Sequence, residues 1–234
     1  MSVAFKPLTP GATLGVLGGG QLGRMWVHAA QSMGFQTVVL DPDPHSPAGL
    51  VSHQHIQTDY LDPVGLQKMA ATCQAVTTEF ENVPADALAQ LATSLQVAPN
   101  AHPVAVAQDR RLEKSHFVNC GVPVAPFAVI ASDVDVEAVL KQADGTSLLP
   151  GILKTARMGY DGKGQVRVQD RKELLAAWTQ LQGSSATPVI CILEQRLALI
   201  GECSVVSAGE IARKSLPDYS MLIAGEIRPI NPPK

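Results

Sequence analysis

Thr13-Leu14-Gly15-Val16-Leu17-Gly18-Gly19-Gly20-Gln21-Leu22-Gly23-Arg24-Met25-Trp26 decides the reading of the first third of the chain. The apolar run Thr13 to Leu17 ends in glycines and reads as a buried strand. Leu22, Met25, Trp26, Ala29, Ala30 and Met33 then recur at helical spacing, on one face of a helix. Gly34 stands where a helix C-terminus favours glycine. A strand that passes through glycines into a helix opens an α/β unit, and the pattern repeats. Thr37–Leu40 is a second strand, stopped by Asp41-Pro42-Asp43-Pro44. Asp62-Pro63 supplies an N-cap and a proline at the first helical position, with Leu66, Met69 and Ala70 following on one face. Gln74–Thr78 is a third strand, and Pro84 opens a helix carrying Leu88 and Leu91. Strands alternating with single helices imply a parallel, Rossmann-like sheet over residues 1–103.

The texture changes near Asn100. Residues 104–120 read as one polar helix with Asp109, Arg110, Arg111, Glu113 and Lys114. Phe127–Ile130, Gly151–Thr155, Gln165–Val168 and Val189–Glu194 read as strands. Helices carry Val136, Val139 and Leu140, then Leu174, Leu175, Trp178 and Leu181. This is a mixed α+β unit over 104–198. A further strand is expected at Cys203–Ser207, within a last segment 199–234 whose prolines and lack of period predict irregular chain from Gly209 onward.

Composition removes several function classes. The 234 residues carry 18 basic and 21 acidic side chains, a net charge of −3, with 46% apolar and only 17% charged residues. Such a chain folds rather than staying disordered. Its Lys and Arg are scattered, which argues against a phosphate-gripping nucleic-acid binder. No apolar run approaches the ~18 residues of a membrane span, and the N-terminus lacks a signal-peptide pattern. Four cysteines without a C-x-x-C pair read as reduced thiols in a cytoplasmic protein. His53-x-His55 has no third ligand nearby, so no metal site is expected there. No nucleophile elbow is present.

Three segments carry chemistry. Gly18-Gly19-Gly20-Gln21-Leu22-Gly23 is a G-x-G-x-x-G turn between strand and helix, with Asp41 18 residues beyond Gly23. Helix N-termini offer free N–H groups to anions. Taken alone, this loop suits NAD, another phosphorylated ligand, or simply tight packing. Gly159-Tyr160-Asp161-Gly162-Lys163-Gly164, five residues after Lys154, is a hairpin whose exposed N–H groups can fold over a polyphosphate, or an ordinary turn. Lys154 would supply a point charge for phosphate oxygens. Finally, Glu79 and Glu81 stand where the third strand ends and can accept hydrogen bonds from ribose hydroxyls, or be solvated.

In combination these segments resemble a known family. Gly18 to Met25, Leu40-Asp41-Pro42-Asp43, Thr78 to Pro84, Gln108-Asp109-Arg110, Lys154-Thr155-Ala156-Arg157, Gly159 to Gln165 and Glu194 occur in the order found in the biotin-independent ATP-grasp enzymes of the N5-carboxyaminoimidazole ribonucleotide synthetase family. The resemblance covers about residues 11–207. It implies a Rossmann-like pre-ATP-grasp domain followed by an α+β ATP-grasp lid domain. It implies ATP-dependent carboxylation of 5-aminoimidazole ribonucleotide with bicarbonate in purine biosynthesis, with ATP and Mg²⁺ as cofactors and a homodimer as the usual assembly. Carried over by residue, Arg110 and Lys154 would hold ATP phosphates, and Gly159, Tyr160, Asp161, Gly162, Lys163, Gly164 and Gln165 would form the lid loop. Glu194, Gln195, Arg196 and Leu197 would form the hinge strand whose backbone reads adenine, and Glu202 would bind the nucleotide ribose. Gly20, Gln21, Leu22 and Glu79 would contact the aminoimidazole ribonucleotide, whose phosphate the first loop would face. The resemblance stops near Ser207-Ala208, while family members continue into a third domain that holds the metal ligands. The expectation is therefore a truncated or frameshifted chain, impaired by itself. Two other readings remain: a non-catalytic nucleotide-binding remnant, and an NAD-dependent oxidoreductase.

Overall fold

The structure, a computed structural model, describes residues 7–141, 147–159, 163–183 and 187–199. The chain opens with β1 (Thr13–Leu17), α1 (Gln21–Ser32), β2 (Gln36–Leu40), β3 (Gln54–Ile56), α2 (Pro63–Thr72), β4 (Ala75–Thr78), α3 (Ala85–Leu91) and β5 (Gln96–Val97). These strands form one parallel sheet in the order β3-β2-β1-β4-β5. The expected parallel sheet is present. β3 and β5 were not anticipated, because strands of three and two residues are too short to show a period.

Local chemistry sets the element ends. Asp62 caps α2 by accepting from the Gly65 amide at 2.6 Å, with Pro63 in the first turn. Gly34 ends α1 at φ +83°, a conformation that side chains resist. Leu17, Leu40, Leu66, Met69, Leu88 and Leu91 pack into one core, each burial contributing about 1.5–3 kcal/mol.

α1 departs from its expected orientation. On the expected face Ala30 is buried and Trp26 half-buried, but Leu22, Met25 and Met33 are 64%, 67% and 65% exposed, and Gly23 and Val27, outside that face, are buried. The reason is clearance. A Cβ at Gly23 would lie 2.7 Å from the Gly18 carbonyl oxygen, so the helix approaches the sheet by its smallest residues rather than its longest apolar ones.

The expected single helix at 104–120 is two, α4 (Ala101–Ala107) and α5 (Arg110–Asn119). Asp109 interrupts them: its backbone is extended, at φ −131° and ψ 110°, and its side chain caps α5 through the Arg111 amide. Asp109 is 1% exposed, and its carboxylate also takes the Arg111 guanidinium at 2.9 and 2.5 Å.

The second unit follows: β6 (Phe127–Ile130), α6 (Asp133–Leu140), β7 (Gly151–Thr155), β8 (Gln165–Val168), α7 (Arg171–Gln182) and β9 (Cys191–Gln195). β9 begins two residues later than expected. The four strands form an antiparallel sheet in the order β6-β9-β7-β8. Ser132 and Asp170 cap α6 and α7. Ile130, Val136, Leu153, Val168, Leu174, Trp178 and Leu193 form a core of their own, and the Trp178 indole donates to Asp133 at 2.7 Å. The strand expected at 203–207 and the irregular chain from 209 lie outside the described residues.

Candidate functional site

In the first sheet the chain turns from β1 to β2 on one side and leads to β4 on the other. Ligands of open α/β sheets bind at the carboxyl ends of strands where the order reverses in this way. Gly18 to Gly20 follow β1 and Glu79 follows β4. Gly18 has φ +104°, and a Cβ there would meet Glu79 Oε1 and Phe80 Cβ at 2.9 Å, so this turn requires glycine. Gly20, Gln21, Leu22 and Glu79 line one cavity of about 440 Å³, as the sequence placed them together.

The glycine amides of the loop are not free, however. Gly19 N donates to Asp41 Oδ2 at 2.7 Å, and Gly20 N donates to Glu79 Oε1 at 3.0 Å. An anion at these amides would have to displace the chain's own carboxylates. Asp41 also accepts from Tyr60 Oη at 2.7 Å and from the Asp43 amide at 2.9 Å. Burial pushes the Glu79 carboxyl up; the Gly20 and Gly23 amides pull it down, and the charges of Asp41 and Glu81 add to the rise. The net shift is upward. Asp41, Asp43, Glu79 and Glu81 all line the cavity, and among the described residues no Lys, Arg or His does. Such a lining selects hydroxyl and amino groups over phosphate. Tyr60 and Ser46 also line it and were not singled out in the sequence, where neither belongs to a motif. His53 and His55 have separate partners: His53 Nδ1 accepts from Thr37 N at 3.1 Å, and His55 Nε2 contacts the Asp41 carbonyl at 3.0 Å.

The second site is built on β7, β9 and α5. In register, Ile152 of β7 and Phe127 of β6 face Glu194 of β9. Lys154 Nζ lies 2.8 Å from Glu194 Oε2, and Lys114 Nζ lies 3.2 Å from Oε1. Burial pushes the Glu194 carboxyl up, but its two ammonium partners outweigh that and hold it below the usual carboxylate range. Lys114 was seen in the sequence only as a polar helix residue. Its signal was its position one turn after Arg110, on the same face of a helix.

Arg110, expected at the ATP phosphates, is engaged at the base of the hairpin. Its amide donates to Ala156 O at 2.9 Å, Nε to Thr155 O at 3.2 Å and Nη2 to Gly159 O at 3.1 Å. The guanidinium thus braces the base of the hairpin, which Thr155 N closes by donating to Gly164 O at 2.8 Å. Gly159, Lys163, Gly164 and Gln165 are placed at this hairpin, while Tyr160, Asp161, Gly162 and Glu202 lie outside the described residues. In the expected hinge, Gln195 N donates to Pro126 O and Arg196 N to Pro150 O, both at 2.9 Å. An adenine edge meeting those two amides would have to displace these bonds; Leu197 is exposed beside them. Among the described residues no group of three or more His, Cys, Asp or Glu side chains could hold a metal ion. The described residues therefore offer no self-contained cage for a metal ion, and a magnesium ion would need ligand phosphates or residues beyond them.

Comparison with known proteins agrees with this two-part layout. Residues 11–108 match the ribonucleotide synthetase preATP-grasp domain, and residues 115–216 match the ATP-grasp domain. Over 203 residues the chain is 34% identical to the N5-carboxyaminoimidazole ribonucleotide synthase of Staphylococcus aureus strain MSSA476, covering 87% of this chain and 52% of that protein. It is 40% identical over 194 residues to that of Pseudomonas aeruginosa PAO1, covering 83% and 51%. Among solved structures, the S. aureus synthetase complexed with ADP superposes with a TM-score of 0.75 at 34% identity, covering 82% of this chain and 49% of that one. The Aspergillus clavatus synthase, in complex with ADP and 5-aminoimidazole ribonucleotide, gives 0.64 at 27% identity, covering 80% and 46%. The chain spans about half the length of the curated relatives it matches.

Proposed function

We propose that the chain belongs to the N5-carboxyaminoimidazole ribonucleotide synthase family and that it provides the ribonucleotide-binding and ATP-binding parts of a ligase that carboxylates 5-aminoimidazole ribonucleotide at the expense of ATP. Bicarbonate is the carboxyl donor, the setting is cytoplasmic purine biosynthesis, and the assembly is a homodimer. One observation carries the ATP half of this reading: Lys154 and Glu194 pair at 2.8 Å on adjacent strands at the root of the Gly159–Gln165 hairpin. Phosphoryl transfer needs positioning and charge neutralisation rather than a covalent nucleophile. A lysine on a sheet next to the base of a glycine-rich hairpin supplies the point charge, and glycine-rich backbone supplies amides that a polyphosphate can use.

The acid-lined cavity of the first unit supports the ribonucleotide half. Its carboxylates suit the ribose diol and the amino-imidazole, so the substrate enters by that end and keeps its phosphate outside. The same lining argues against a pyrophosphate at Gly19 and Gly20, and with it against the NAD-dependent oxidoreductase.

Among the described residues no three His, Cys, Asp or Glu side chains group as a metal site of their own. The share of charge compensation that a metal ion would give a transferred phosphoryl group is then not held by the described residues alone, which offer lysines only. Calorimetric titration of the 234-residue polypeptide is expected to show ATP and ADP binding, weakened at least tenfold by Lys154→Ala, and no NADH binding. Phosphate release with ATP, bicarbonate and aminoimidazole ribonucleotide is expected to stay at background. Absence of ATP binding would overturn the proposal, and steady phosphate release would overturn its account of the missing charge compensation.

A further inference from the structure

We infer that Lys114 is a nucleotide-binding residue, paired with Lys154 through Glu194 to form a two-lysine clamp for the polyphosphate. The inference rests on the reading that Lys154 and Glu194 mark the ATP site.

The charge count leads to it. Two ammoniums share one carboxylate, one on each oxygen, at 2.8 and 3.2 Å. The side chains of Lys114 and Glu194 are each 12% exposed, and that of Lys154 is 20% exposed. Among the described residues neither lysine has a second carboxylate within ion-pair distance. The cluster therefore holds one surplus positive charge, largely removed from water. Such a charge is costly to bury without a counter-ion. An anion arriving at the cluster supplies what it lacks.

Geometry separates Lys114 from its neighbour Arg110. The Arg110 guanidinium is committed to the carbonyl oxygens of Thr155 and Gly159. Lys114, one turn further along α5, reaches past it to Glu194. Its Nζ also stands 5.3 Å from the centroid of the Phe127 ring, and Phe127 is the register partner of Glu194 on β6. The ring face holds the ammonium in place even when a ligand competes for the carboxylate. α5 thus sends one cation to the root of the hairpin and a second to the carboxylate of Glu194. A polyphosphate can draw both lysines without leaving Glu194 unpaired, because each lysine has further N–H donors to offer.

The test is titration of the full 234-residue chain with ADP and ATP by calorimetry, and with adenosine by competition against ADP. Wild type, Lys114→Ala and Lys114→Arg are compared, with the Trp178 emission spectrum as a check of folding. The Ala variant is expected to weaken ADP and ATP at least tenfold and adenosine by no more than two- to threefold, and the Arg variant to recover most of the loss. An equal loss for adenosine and ADP would mean that Lys114 only supports the strand carrying Glu194, and it would overturn the inference. Unchanged ADP binding in the Ala variant would overturn it as well. A wild-type chain that binds neither ADP nor ATP would instead sink the assignment of the site, and the inference with it.

Discussion

Glu79 is where stability and ligand recognition oppose each other. Burial raises its carboxyl above the ordinary range, Asp41 and Glu81 add to that, and the Gly20 and Gly23 amides only partly counter it. For a group whose folded pKa is raised, the stabilising contribution is complete below the unfolded value and is lost as pH rises through the folded one. Glu79→Gln keeps an oxygen for the Gly20 amide and removes the charge. The variant is expected to melt higher than wild type near neutral pH, with a gap that shrinks as the pH falls toward and below the ordinary carboxylate range. Scanning calorimetry between pH 4 and pH 8 checks this, and a gap that does not change with pH would contradict it. The same variant should bind aminoimidazole ribonucleotide less well. Glu194 has the opposite sign: its partners hold it low, so its contribution is present above the unfolded value and fades as pH falls through the folded one. Sequence showed that Asp41 and Glu79 sit at strand ends. It could not show that their carboxylates occupy the amides of the glycine loop, because such bonds join residues 22 and 59 positions apart.

At the level of elements, spacing located nearly every helix and long strand but got only part of the face by which α1 meets the sheet, Ala30 and Trp26 but not Gly23 and Val27. Periodicity counts apolar side chains, and α1 has them on more than one face. The deciding quantity was how closely a backbone can approach, which Gly23 and Ala30 allow and Met25 does not. The break between α4 and α5 was hidden for a related reason: Asp109 lies inside a stretch of good helix formers, and only its cap to Arg111 reveals the new start. That cap is testable. Asp109→Ala removes a capping acceptor, which typically costs about 0.5–2 kcal/mol, and leaves Arg111 without its bidentate partner. A total loss of about 2 kcal/mol is expected from urea unfolding, read as a lower midpoint with an unchanged slope. Asp109→Asn retains a capping oxygen and should lose less than about 1 kcal/mol. Equal losses for the two variants would show that the cap is not what Asp109 contributes.

At the scale of the molecule, the buried apolar residues among those described form clusters that do not cross between the units. The first unit holds two, spanning Leu17 to Val104 and Val16 to Ala48, and the second unit holds one, spanning Ile130 to Leu193. What joins the units at Gln108-Asp109 is largely polar. Gln108 donates to the carbonyl oxygens of Glu81 and Val83, while Arg110 holds the hairpin of the second unit. Units with separate cores and a polar joint unfold as separate cooperative blocks. A ligand stabilises only the block that binds it, by about 2.7 kcal/mol at a hundredfold excess over Kd. The chain's two tryptophans fall one in each unit, Trp26 on α1 and Trp178 on α7. Scanning calorimetry should therefore show two transitions, with ADP raising only one of them. In Trp26→Phe, where Trp178 is the remaining reporter, the fluorescence midpoint should follow the transition that ADP raises. If ADP moved both transitions together, or moved only the one that Trp178 does not report, the separation of a nucleotide-binding unit from a ribonucleotide-binding unit would fail, and the assignment of Lys154 and Glu194 to ATP would fail with it.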